Sequence, residues 1–388
     1  MNLIFNARIF WRRLTTWTRV YLISRYAGVG SEEELFGRMY LESSDFGDLL
    51  RLIFGREISQ QFTLLLYQYS IILRDLLNAQ MSGNKTAIQQ DVDRLYQNAD
   101  ERAAFLASIN PYWDQAVWQG YLETYLQYTL EEANSFVAGD YSEDIRLFDR
   151  LTALTNEIGN YFAEGLYRYI TAGPQNASAG KYAGRKAGGG KRAADAGKAD
   201  EQCFTFQEMN EIYTIRMFWF ELATWVRAYM LSRYKNIGNS KEVYARLKLV
   251  PVDYVRMIGT IFGEEVVQGY VALFNTYIDL IDAYITAQLN GDSEAVDKIT
   301  QQLYQNADER AAFISSINPY WSESEWRTRL YSNLGNTINE SSTLLSGDYA
   351  GNIDIFSTLL NQAENTSNYF AEGLLSYLYD QRQAGKQS

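Results

Sequence analysis

Arginines and carboxylates carry whatever site chemistry this chain has, because it contains no histidine and a single cysteine, Cys203. Without imidazole there is no Ser-His-Asp or Cys-His relay. There is no Glu-x-x-His pair to hold a di-iron centre between helices, and no ordinary zinc site, which draws on Cys and His. No phosphate-cradling GxxxxGK run ending in Ser or Thr occurs, and no GxGxxG follows a strand. Gly188-Gly189-Gly190-Lys191 has no strand before it. The expectation is therefore no catalytic, cofactor-binding or metal-binding residues and no cofactor.

The polar residues that remain are sorted by an internal repeat. The string LYQNADERAAF stands at Leu95–Phe105 and again at Leu303–Phe313, an offset of 208 residues. That offset persists without a gap. Ile9-Phe10-Trp11 answers Met217-Phe218-Trp219, Gly139-Asp140-Tyr141 answers Gly347-Asp348-Tyr349, and NYFAEGL occurs at both Asn160 and Asn368. A tandem duplication follows, with a period too long for a short-repeat solenoid.

Ions on a solvated face are free to drift, so polar residues identical in both copies are candidates for burial and pairing. They include Arg19 with Arg227, Glu57 with Glu265, Asn98 with Asn306, Asp100 with Asp308, Arg102 with Arg310, and Glu132 with Glu340. Arg19 lies between Trp17 and Tyr21, and a buried arginine needs a carboxylate or carbonyl partner. The preferred reading is structural: arginine–carboxylate bridges that set how helices dock. The competing reading is a small polar pocket in each core, taking a ligand or a hard cation through carboxylates. An acid/base pair is third, since nothing in the pattern holds two carboxylates at a catalytic spacing. Asn98 and Asp100 are expected to pin their helix to the turn Asn110-Pro111-Tyr112-Trp113, with Arg102 reaching that turn's carbonyls.

Helices must position these groups, since no stretch alternates strongly enough to be a strand. The first covers Leu3–Tyr26 and stops at Gly28 and Gly30. A capping-box pattern at Ser31-Glu32-Glu33-Glu34 opens a short helix, and a second short helix follows Asp45. Phe62, Leu65, Tyr69, Ile72 and Leu76 step by three or four along a long helix from Arg56 to Met81. Further helices run from Thr86 to Ile109, through Tyr121, Tyr125 and Tyr128 to Gly139, and over Ser142–Ile170. In the second copy Ser322-Glu323-Ser324-Glu325 is another capping-box pattern. The expected fold is all-α: two tandem four-helix-bundle-like domains with short helices added, pseudo-symmetric at the 208-residue offset. Their bounds are 1–171 and 207–380, with a basic Gly/Ala/Lys-rich flexible linker at 172–206 and a disordered tail at 381–388. The 30 tyrosines fall mostly on these helices and are read as core packing.

The net charge of −12 argues against nucleic acid and against an anionic membrane surface. No apolar run approaches the length of a bilayer span. MNLIFNARIFWRRL places its arginines after apolar residues, the reverse of a secretory signal, so a cytoplasmic location is the default expectation. The linker's six basic residues, among them Lys181, Arg185 and Lys198, suit a solvated tether or one that docks on an acidic face.

Trp17-Thr18-Arg19, the run Tyr96–Asp100, Ala104-Phe105-Leu106, Asn110-Pro111-Tyr112-Trp113 and Glu164-Gly165 together resemble a family of single-bundle helical proteins of spore-forming bacteria and mosses, one with no established function. The resemblance covers both copies and leaves out the linker. It implies the bundle fold. It also implies inward-facing histidines at positions held here by Leu14, Tyr69, Tyr125 and Leu154, and by Leu222, Tyr277, Asn333 and Gln362. Any metal or proton chemistry of those histidines is then lost, and tyrosine and aliphatic groups should fill both centres. The expected function is that of a non-enzymatic structural or assembly protein, associating with itself or with other structural proteins. The alternative is a small-ligand or metal-binding bundle with one polar pocket per copy.

Overall fold

The computed structural model describes residues 2–172 and 206–387. They are all-helical, with twelve helices and no strand among the described residues. The chain divides into two compact units, Met1–Phe206 and Gln207–Ser388. The linker reading, Cys203 included, falls on residues 173–205, outside the described residues.

Unit 1 holds α1 (Asn2–Ala27), α2 (Glu32–Phe54), α3 (Arg56–Met81), α4 (Lys85–Ile109), α5 (Gln115–Ala138) and α6 (Tyr141–Thr171). Each helix packs on the next, and α6 returns to α1. Helix α1 also touches α3 and α5, which makes it the enclosed helix of the unit. From Phe5 to Ser24 it is buried on nearly every side, although it carries Arg8, Arg12, Thr15, Thr16, Thr18 and Arg19. Such a helix survives burial only if its polar groups are satisfied inside. Thr15 does so by donating back to the Trp11 carbonyl at 2.8 Å.

Unit 1 is built of six long helices, and the two short helices expected after Ser31 and Asp45 are one. The segment after Ser31 is one 23-residue helix, because Leu35, Met39, Phe46 and Leu50 stay on one buried face through Asp45. Gly47 does not break it. A Cβ there would lie 2.0 Å from the Thr63 hydroxyl, so the glycine allows α2 to cross close to α3. Neither capping-box pattern forms its side-chain bond: Ser31 pairs with Ser24 at 2.8 Å, and Ser322 with Ser324 at 2.8 Å. Caps that do form include Asn84, Asp114, Asp140, Asp292 and Asp348, each accepting from backbone N–H groups of the following turn.

Unit 2 holds α7 (Phe206–Lys235), α8 (Ser240–Phe262), α9 (Glu264–Asn290), α10 (Ser293–Ile317), α11 (Glu323–Ser346) and α12 (Tyr349–Gln387). Helix α8 continues through Pro251. Residues read as a disordered tail continue α12 to Gln387.

Aromatic rings fill one half of each core. In unit 1 Trp11 lies 5.7 Å from Trp118, Phe46 5.2 Å from Phe162, and Trp113 4.8 Å from Phe162, between ring centroids. In unit 2 Trp219 lies 5.6 Å from Trp326, and Trp321 4.5 Å from Phe370. Such pairs contribute about 0.5–1.5 kcal/mol each beyond their area burial.

Candidate functional site

The unit 1 core also encloses a group of charged side chains. Arg19, in the last third of α1, meets Glu132 of α5 and Asp144 of α6, and all three side chains are at most 4% exposed. Its Nη1 donates to Glu132 Oε1 and, at 3.0 Å, to Asp144 Oδ1; its Nη2 donates to Asp144 Oδ2 at 2.8 Å. The guanidinium also lies 4.4 Å from the Phe148 ring centroid. Burial works against the Arg19 charge, but Asp144 and Glu132 outweigh it and raise the pKa. Burial, only partly opposed by Arg19 and reinforced by Asp144, pushes the Glu132 carboxyl up to about 8. The cluster sets one guanidinium against two carboxyl groups, of which Glu132 is pushed towards its protonated form.

Unit 2 holds a matching cluster in which one partner differs. Arg227 donates to Glu340 Oε1 at 2.8 Å and to Asn352 Oδ1 at 2.5 Å, and Asn352 returns a bond to the Glu340 backbone carbonyl at 3.1 Å. Asn352 stands 208 residues after Asp144. Burial raises the Glu340 pKa, against the pull of Arg227.

Each core holds a second buried cation. Arg102 of α4 is 1% exposed, donates through Nε to the Asn98 carbonyl at 3.4 Å, and stands 4.9 Å from the Tyr69 ring centroid. Burial lowers its pKa, while Tyr69 and Tyr125 pull it back. Arg310 of α10 stands 4.5 Å from the Tyr277 ring and 5.2 Å from that of Phe274, and burial lowers its pKa to about 10. Aromatic faces, not carboxylates, hold these two guanidinium groups.

Of the residues singled out by repetition, the structure joins Arg19 to Glu132 and Arg227 to Glu340, and leaves the rest apart from those clusters. Glu57 and Glu265 are exposed in the first turns of α3 and α9, where the helix dipole favours a carboxylate. Asp100 accepts from Gln119 at 2.9 Å on the surface, and Asp308 accepts from Arg327 at 2.7 Å and from Tyr331 at 3.0 Å, tying each helix to its successor. Asn98 and Asn306 do not reach the Asn-Pro-Tyr-Trp turns. Their amides donate to the Leu65 and Leu273 carbonyls at 3.0 and 3.1 Å. Arg102 misses the turn too, since Asn110 lies eight positions further along the helix, about 12 Å of rise.

The turn is held instead by its own asparagine and by a glycine. Asn110 Oδ1 accepts from the Tyr112 N–H at 3.0 Å, and Trp113 lies against Gly165, where a Cβ would come within 1.9 Å of the indole nitrogen. Trp321 and Gly373 repeat this fit at 2.1 Å. Sequence reasoning missed Asp144 because Asn352 is not identical to it. It missed the cluster at Glu42, which pairs with Arg13 and Arg38, because Val250 stands at the matching place.

Nothing in this arrangement supplies a nucleophile with a base beside it. Among the described residues no group of three or more His, Cys, Asp or Glu is placed to hold a metal ion, and no helix is long and apolar enough to cross a membrane. No family model matches the chain, and no curated protein or solved structure matches it either.

Proposed function

We propose that the chain is a non-enzymatic structural protein: two helical bundles of common origin, joined in tandem, that associate with further copies or with other structural proteins. The observation that carries this reading is a set of exposed apolar residues shared by both units. Leu41 and Leu249 are 55% and 50% exposed, Met81 and Leu289 53% and 45%, Val137 and Leu345 62% and 47%. Single exposed apolar residues are ordinary. Exposed ones at matching positions in two diverging copies are not, because drift on a solvated surface favours polar replacements. Met81 and Val137 also share one end of unit 1: the Tyr26 hydroxyl donates to Gln80, and its ring lies 6.4 Å from that of Phe136. The charge clusters face inward and are expected to fix helix docking, leaving these apolar ends for a partner.

Mass photometry and sedimentation of the pure protein over a hundredfold range of concentration provide the test. Defined oligomers are expected, and Lys at Met81, Val137, Leu289 and Leu345 together should return them to monomers. A strict monomer throughout would overturn the proposal. The reading of a small-ligand bundle is supported by one observation, a largely apolar cavity in unit 2 into which Glu340, Asn333, Thr337 and Thr366 also open.

A further inference from the structure

The halves of the two cores that hold the charge clusters differ at a few matched positions. In unit 1 the buried ring of Tyr125 lies 6.5 Å from that of Tyr69. In unit 2 the position of Tyr125 is taken by Asn333, that of Thr155 by Ala363, that of Thr15 by Ala223, and that of Ile158 by Thr366. Three residues have become smaller and one apolar residue has become a hydroxyl. All four line a cavity with ≈ 20 Å³ of room for the centres of water-sized molecules. That is enough for one or two small atoms' worth of ligand.

Glu340 also lines this cavity, is fully buried, and its Oε2 has no hydrogen-bond partner within the protein. A buried carboxylate oxygen without a donor is costly, so the cavity calls for a hydrogen-bond donor. Charge decides which kind. Glu340 already pairs with Arg227, and Arg310 adds a second buried cation over the Tyr277 ring that forms one wall. A cationic donor would add to a positive surplus, and an anion would face the carboxylate. Arg329, Asn333 and Ala223 are the half-buried lining residues and form the mouth.

We propose that this cavity binds the neutral, hydrogen-bond-donating end of a small molecule, a hydroxyl or a primary carboxamide, which enters past Arg329 and Asn333 and donates to Glu340. The inference goes beyond the scaffold reading and does not depend on it, since that reading concerns the outer surface.

Three planar probes of equal size and different charge test it on the full chain: formamide, formate and formamidinium. Saturation-transfer NMR and thermal shift should show formamide binding at least tenfold more tightly than either ion. Asn333→Tyr, which restores the ring of unit 1, should abolish formamide binding. Ala363→Leu closes the cavity from α12 and serves if the tyrosine variant misfolds. The proposal fails if formamide does not bind, if either ion binds as tightly, or if binding survives in a folded variant with the cavity filled.

Discussion

Glu132 is the residue whose chemistry differs most from its ordinary behaviour. Its pKa rises from 4.5 to about 8 on folding, so the folded chain binds a proton that the unfolded chain releases between those values. Stability linked to this group is therefore fully present below about pH 4.5 and is lost as pH rises towards 8. Denaturant unfolding of the full chain is expected to show lower stability at pH 8 than at pH 5, and Glu132→Gln should reduce that difference. Removing the cation is more severe. Arg19→Met leaves two buried acids facing each other without compensation and should cost about 3–5 kcal/mol, read as an earlier unfolding midpoint. Asp144→Asn copies the arrangement of unit 2 and should cost much less. Repetition made Arg19 and Glu132 legible in the sequence, but not their third partner: an aspartate can be matched by an asparagine once one carboxylate suffices to balance the arginine.

Helices dock through small residues as much as through large ones. The Asn-Pro-Tyr-Trp turns were legible as helix breaks, since proline cannot donate to the ladder. Their docking partner was not, although Gly165 and Gly373 stand in the repeated NYFAEGL. A glycine in a helix interior costs stability and persists where a neighbour fills the space of its side chain. Gly165→Ala drives a methyl into the Trp113 indole and should cost about 1–3 kcal/mol, by the usual penalty for overpacking. Chemical denaturation followed by tryptophan fluorescence would show it as a lowered midpoint and an altered native emission. The same logic corrected α2. Asp45 looked like the start of a new helix, but a continuous buried stripe on both sides of it outweighed the local signal.

Two compact units within one chain carry a prediction for the whole molecule. Each has its own aromatic core and its own buried ion cluster, and each exceeds the size at which a single core sustains folding. Residues 1–172 and 206–388 expressed separately should each be helical by circular dichroism and melt cooperatively. A fragment that stays unfolded would show that its core is completed from outside the unit. A difference between the units is also visible at this scale, for Asn333, which lines the cavity of unit 2, stands 208 residues after the buried Tyr125 of unit 1.

Composition and repetition by themselves determined the helical class, the offset of 208 residues and the inventory of side chains from which any site has to be built. These follow from local periodicity and from identity, both properties of the linear chain. Tertiary structure alone decided that α1 is enclosed, that Arg102 rests on tyrosine instead of a carboxylate, and that Asn333 and Glu340 line one cavity. Burial and pairing depend on which helix faces meet across the core. Residues more than a hundred positions apart, such as Arg19 and Asp144, become neighbours only when the bundle closes.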